Sequence, residues 1–87
     1  LIFHPHPNGF GVQATTFFTN GYGASVVKNK YSHGGEDGLY EVAVLVGSSE
    51  LESNLTYETS ITNDVLGCLT EAGVTTALQN IEALPQQ

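Results

Sequence analysis

The apolar and polar positions along this chain change period partway through. Over the first thirty or so residues, short apolar and β-branched stretches are broken by a repeated phrase, Asn8-Gly9-Phe10-Gly11 and then Asn20-Gly21-Tyr22-Gly23. Asn-Gly between such stretches signals a β-hairpin, because a type I′ turn requires positive φ at both central residues. The pattern predicts two successive hairpins with strands over 1–6, 11–18 and 22–29. Residues 30–37 read as a loop. A fourth strand over 38–46 is apolar on both faces apart from Glu41, which suits a central position. A polar connection over 47–54 leads to a fifth strand over 55–61. There Leu55, Tyr57, Thr59 and Ile61 alternate with Thr56, Glu58 and Ser60.

Beyond residue 61 the period lengthens. Thr62 is placed to cap a short turn through Asp64, Val65 and Leu66, and Thr70 to cap a final helix, with Glu71 in its first turn where the helix dipole favours a negative charge. Val74, Ala77, Leu78, Ile81 and Leu84 form one helical stripe, and Pro85 ends it. A stripe of that kind needs a sheet to cover. The predicted fold is α+β: one domain over 1–87, with an antiparallel sheet of four to five strands in 1–61, and a short turn and C-terminal helix in 62–87 packed on one face.

If both Asn-Gly pairs reverse the chain in two residues, counting gives the partners. His4 lies opposite Gln13, Gln13 opposite Lys28, Phe3 opposite Ala14, and Ala14 opposite Val27. Leu1, Phe3, Val12, Ala14, Phe18 and Val27 then face the helix. Ile2, His4, His6, Gln13, Thr15, Phe17, Tyr22, Val26 and Lys28 share the other face. That face mixes apolar with polar groups and carries little charge, a composition that suits an interface with a partner or with a second copy of the chain.

Charge narrows the partners. The 87 residues carry nine Asp and Glu against two Lys and no Arg, a formal net charge of −7. Such a chain is repelled by nucleic-acid phosphates and by anionic membranes. No direct nucleic-acid binding and no membrane association is expected; a basic protein partner is compatible. The single Cys68 excludes an intrachain disulfide and a thiolate zinc cage, suits a cytoplasmic setting, and reads as a small apolar residue. No apolar run approaches the roughly 20 residues of a membrane span, and no signal peptide is visible.

Two clusters carry candidate chemistry. His4-Pro5-His6 would point both imidazoles to one side of a strand, but a catalytic zinc needs a third ligand that the spacing does not supply. No metal and no cofactor is expected. Lys28 to Gly35 gathers Lys28, Lys30, Tyr31, Ser32 and His33 before two glycines, donors suited to a phosphate or another anion. The spacing is not that of a P-loop. No serine elbow, paired carboxylates or activated thiol points to catalysis, so the chain reads as a non-enzyme. The candidate binding residues are His4, His6, Gln13, Lys28, Lys30, Tyr31, Ser32 and His33.

Three stretches taken in order are familiar. They are Asn20-Gly21-Tyr22-Gly23-Ala24-Ser25-Val26-Val27, Gly38-Leu39-Tyr40-Glu41-Val42-Ala43-Val44-Leu45, and Ile61-Thr62-Asn63-Asp64-Val65-Leu66-Gly67-Cys68-Leu69-Thr70-Glu71. Together they resemble small uncharacterised proteins encoded by tailed bacteriophages, over about residues 8 to 84. Cys68 departs from the aromatic, and Gly73 from the acid, that the resemblance leads one to expect. The resemblance carries no site residues. It implies a setting in the bacterial host cytoplasm and a protein that acts by stoichiometric binding, inhibiting a host or anti-phage defence protein. Two other roles fit the setting: an oligomeric sponge for a small nucleotide immune signal, held by Lys28, Lys30, Tyr31 and His33, and a virion or assembly accessory. A homo-oligomer is expected.

Overall fold

The computed structural model describes residues 2–5, 9, 11–29, 34–49, 52–62 and 65–87. Among them are six strands and one helix: β1 His4–Pro5, β2 Gly11–Phe17, β3 Tyr22–Asn29, β4 Tyr40–Gly47, β5 Ser53–Leu55, β6 Leu66–Leu69 and α1 Glu71–Glu82, with a 3₁₀ turn over Gly35–Asp37. The strands form one antiparallel sheet in the order β1-β2-β3-β4-β5, and β6 also pairs with β4. This is the predicted α+β fold, with the helix packed on one face.

The helix forms for the reasons legible in its sequence. Thr70 is extended, and its hydroxyl accepts a hydrogen bond from the Gly73 N–H at 3.1 Å, satisfying one of the orphan donors of the first turn. Val74 and Ile81 are buried in one cluster with Ala24, Val26, Val42 and Val44, with Leu78 and Leu84 packed at the margin, and Ala77 of the same stripe is buried as well. Ile81, Val26 and Val42 are fully buried. Each such side chain contributes roughly 1.5–3 kcal/mol by leaving water.

Three expectations are corrected. The first is the second hairpin. Its partners are Val12↔Lys28, Gln13↔Val27, Ala14↔Val26 and Phe17↔Gly23, one position from the predicted register. The Phe18 N–H donates to the Tyr22 carbonyl at 2.8 Å, closing a three-residue loop over Thr19, Asn20 and Gly21 in which Gly21 alone takes positive φ, at 87°. The predicted pairs of Gln13 with Lys28 and of Ala14 with Val27 therefore do not form. Every side chain of β3 changes face: Val26, Lys28 and Tyr22 turn toward the helix, and Val27 and Ser25 turn away. In the first hairpin, His4↔Gln13 stands as expected, with Pro5↔Val12 beside it. Its Asn8 lies outside the described residues.

The second correction is the fifth strand, which runs over Ser53–Leu55 and not over 55–61. Thr56 still donates its N–H to the Val44 carbonyl at 2.9 Å. After that the threonine hydroxyls take over the backbone. Thr56 Oγ1 accepts from the Glu58 N–H at 3.3 Å, and Thr59 Oγ1 accepts from the Ile61 N–H at 3.2 Å. These local turns compete with a ladder and end the strand despite its alternation.

The third correction is a strand where the tail was assigned a turn. Leu66–Leu69 pairs with β4 through Tyr40↔Leu69 and Val42↔Leu66, so the sheet extends beyond the expected boundary at 61. Three steps on β6 match two on β4. The extra residue makes a bulge, where Cys68 adopts φ 56°. Cys68 is exposed there, not buried as an apolar filler.

Candidate functional site

Strand alternation gives the sheet two unlike faces. On the face opposite the helix, β2 presents Gln13, Thr15 and Phe17, β3 presents Gly23, Ser25 and Val27, and β4 presents Glu41, Ala43 and Leu45. β1 adds His4, and β5 adds Ser53 and Leu55. The centre of this face is built of small side chains, and its margins carry larger ones. It is concave, with a depression of about 370 Å³ lined by His4, Gln13, Thr15, Ser25, Leu45, Ser53 and Leu55.

One wall of the depression is polar and the other apolar. Gln13 Nε2 donates to Ser25 Oγ at 3.0 Å, which fixes the amide across the strands. His4 Nδ1 lies 3.3 Å from the Pro5 carbonyl oxygen, on an exposed strand. Leu45 is nearly buried, while Leu55 beside it keeps 52% of its surface exposed. Phe17 lies across Gly23, where an added Cβ would come within 2.6 Å of its ring. Glycine is the residue that allows the ring to lie flat on the sheet there.

Electrostatically this face is quiet. Among the described residues, Glu41 is the one acidic side chain that strand register places on it. Asp37, Glu52, Glu58, Glu71 and Glu82 stand elsewhere, in the 3₁₀ turn, the connections and the helix. The depression offers hydroxyl, amide and imidazole groups for neutral hydrogen bonds, and two leucines for an apolar group.

Of the eight residues singled out from the sequence, His4 and Gln13 are brought together here. Lys28 is not. It lies on the helix side, with Nζ 5.0 Å from the centre of the Tyr40 ring. His6, Lys30, Tyr31, Ser32 and His33 lie outside the described residues. The same Tyr40 ring packs against Phe3 with centroids 5.8 Å apart. Both rings line a smaller groove of about 170 Å³ with Glu71, Val74 and Thr75. Among the described residues, no three His, Cys, Asp or Glu side chains gather as a metal site.

The sequence reading missed Ser25, Leu45, Ser53 and Leu55. Ser25 was lost with the shifted register, since a three-residue hairpin loop would have placed it beside Thr15. Leu45 and Leu55 carried a usable signal. Both are aliphatic residues of consecutive strands, and they pair directly.

These features define the class: a small α+β domain whose antiparallel sheet is covered by a helix on one face and is concave and nearly uncharged on the other. No family model, no curated protein and no solved structure matches the chain. No helix among the described residues is long and apolar enough to cross a membrane.

Proposed function

We propose that this protein is a non-enzymatic binding protein that docks a single protein partner on the open face of its sheet. The reading rests on one observation. In a chain of net charge −7, the face opposite the helix is concave, half-apolar and almost free of charge. Carboxylates on that face would hold a film of water; their scarcity lowers the cost of drying it against another surface. The other described acidic groups stand off this face, in the 3₁₀ turn, the connections and the helix, and the net negative charge of the chain favours a basic partner.

The resemblance to small bacteriophage proteins supplies the setting of this proposal: an accessory protein in the host cytoplasm that inhibits a host or defence protein by occupying it. The nucleotide-sponge alternative would hold its ligand on Lys28, Lys30, Tyr31 and His33; of these Lys28 alone lies among the described residues, on the helix side of the sheet and away from the open face.

The test is direct. A host protein recovered on the immobilised chain should bind it in solution at fixed stoichiometry, and both Thr15→Arg and Leu55→Arg should abolish that binding while leaving the melting temperature unchanged. Binding that survives both substitutions would move the interface off this face. Sizing of the free protein shows whether the face is already occupied by a second copy.

A further inference from the structure

Asn20 carries a chemistry that partner binding does not use. It stands at the tip of the β2–β3 hairpin and is 8% exposed. Its Nδ2 donates to three carbonyls at the end of the helix: Ile81 at 2.9 Å, Glu82 at 3.1 Å and Leu84 at 3.1 Å. Its Oδ1 accepts from the Tyr22 N–H at 3.0 Å, and its own carbonyl accepts from the Gln87 N–H at 2.8 Å. One amide thus ties the hairpin to the carbonyls of the last helical turn and of the residues just after it, of which the Ile81 carbonyl also accepts from the Leu84 N–H at 3.1 Å.

The residue that follows is Gly21. Asparagine before glycine is the pair whose amide hydrolyses most readily, because glycine has no side chain to hinder its own nitrogen. The backbone N of Gly21 attacks Cγ of Asn20, and the Cγ–Nδ2 bond breaks. Nδ2 leaves as ammonia, taking the proton of the Gly21 N–H. One water then opens the cyclic imide at either carbonyl, leaving aspartate or isoaspartate. No oxidant, reductant or enzyme is needed.

In the folded chain this attack is held off. The Asn20 side chain is drawn toward the helix end and bonded at both its atoms, and the Gly21 N–H is turned to the Phe18 carbonyl at 3.4 Å. The product would reverse the latch. A carboxylate would face three carbonyl oxygens at the negative end of the helix dipole, and no basic residue stands in the last helical turn to compensate it.

We propose that Asn20 is a self-modification site: its amide is protected while the helix end is docked, hydrolyses once that end opens, and thereafter prevents the helix from docking again. The modification makes each local opening a chance of permanent release.

Peptide mapping by mass spectrometry of the whole protein, incubated at mildly alkaline pH with and without unfolding urea, tests this. Conversion at Asn20 should be at least about tenfold slower in the folded protein than in the unfolded one, as expected where reaction requires an opened state. Equal rates would overturn the proposal. Aged protein separated by charge should show a lower melting temperature in its converted fraction, by more than about 10 °C; a parental value would also overturn it. Asn20→Ala removes the donor without adding charge, and Asn20→Asp adds both defects. At pH 7 the aspartate variant should melt below the alanine variant, and the gap should close as the pH falls toward about 4 and the carboxylate is neutralised. A gap that does not respond to pH would remove the charge from the argument and sink the irreversible step.

Discussion

The two faces of the sheet are built from the same strands and do opposite things. Toward the helix, Ala24, Val26, Val42 and Val44 are at most 1% exposed, and they are matched by a stripe of equal apolarity. Away from it, Ser25 alternates with Ala24 and Val26, and Ala43 with Val42 and Val44, yet these side chains are only half-buried and nothing among the described residues covers them. The difference lies in the kind of side chain. The covered face carries aliphatic groups matched to a fixed internal partner. The open face keeps small, mostly uncharged groups at its centre, with Phe17, Leu45 and Leu55 at its margin, and these cost little to dry. Stability should therefore reside in the first and recognition in the second.

The largest effect should come from breaking the covered face. Ile81→Ala leaves a cavity between α1 and the two central strands and should cost about 3–4 kcal/mol, read by urea denaturation. A loss below about 1 kcal/mol would mean that the helix is not the true cover. Thr70→Ala removes the cap of α1 and should cost about 1 kcal/mol. Of similar size and opposite sign, Cys68→Gly relieves a left-handed conformation in the β6 bulge and should raise stability by about 1 kcal/mol. The smallest stability change belongs to the open face: Thr15→Arg or Leu55→Arg should shift stability by no more than about 0.5 kcal/mol while abolishing partner binding. A large stability loss there would erase the distinction between the faces.

On the covered face the helix was legible in the sequence, while on the sheet beneath it Ala14 was placed correctly and Val26 was not. The helix declares itself through a 3.6-residue period, a threonine cap and a terminal proline, all of which act locally. The open face was read only in part, and the reason is long-range. Asn20 looks like one half of a tight two-residue turn. Its side chain instead reaches the end of the helix, the loop takes three residues, and β3 turns over. That single step moved Lys28 and Val26 to the covered side and hid Ser25. The stretch 55–61 misled in the other direction. Its alternation is genuine, but the Thr56 and Thr59 hydroxyls hold the backbone in local turns that alternation does not reveal. Leu66–Leu69 was missed because Leu-Gly-Cys-Leu has no period of its own; it is a strand because β4 offers it an edge.

The latch at Asn20 also bears on how the chain folds. Its side chain joins residues 61, 62 and 64 positions apart, so the bond encloses most of the polypeptide in one ring. Closing so wide a ring carries its entropic cost before any reward arrives, which places it late on the folding path. Once closed, it makes hairpin and helix interdependent. Amide protons at the hairpin end of β3 and in the last turn of α1 should exchange with solvent through one shared opening, and a nick anywhere between them should be felt at both ends.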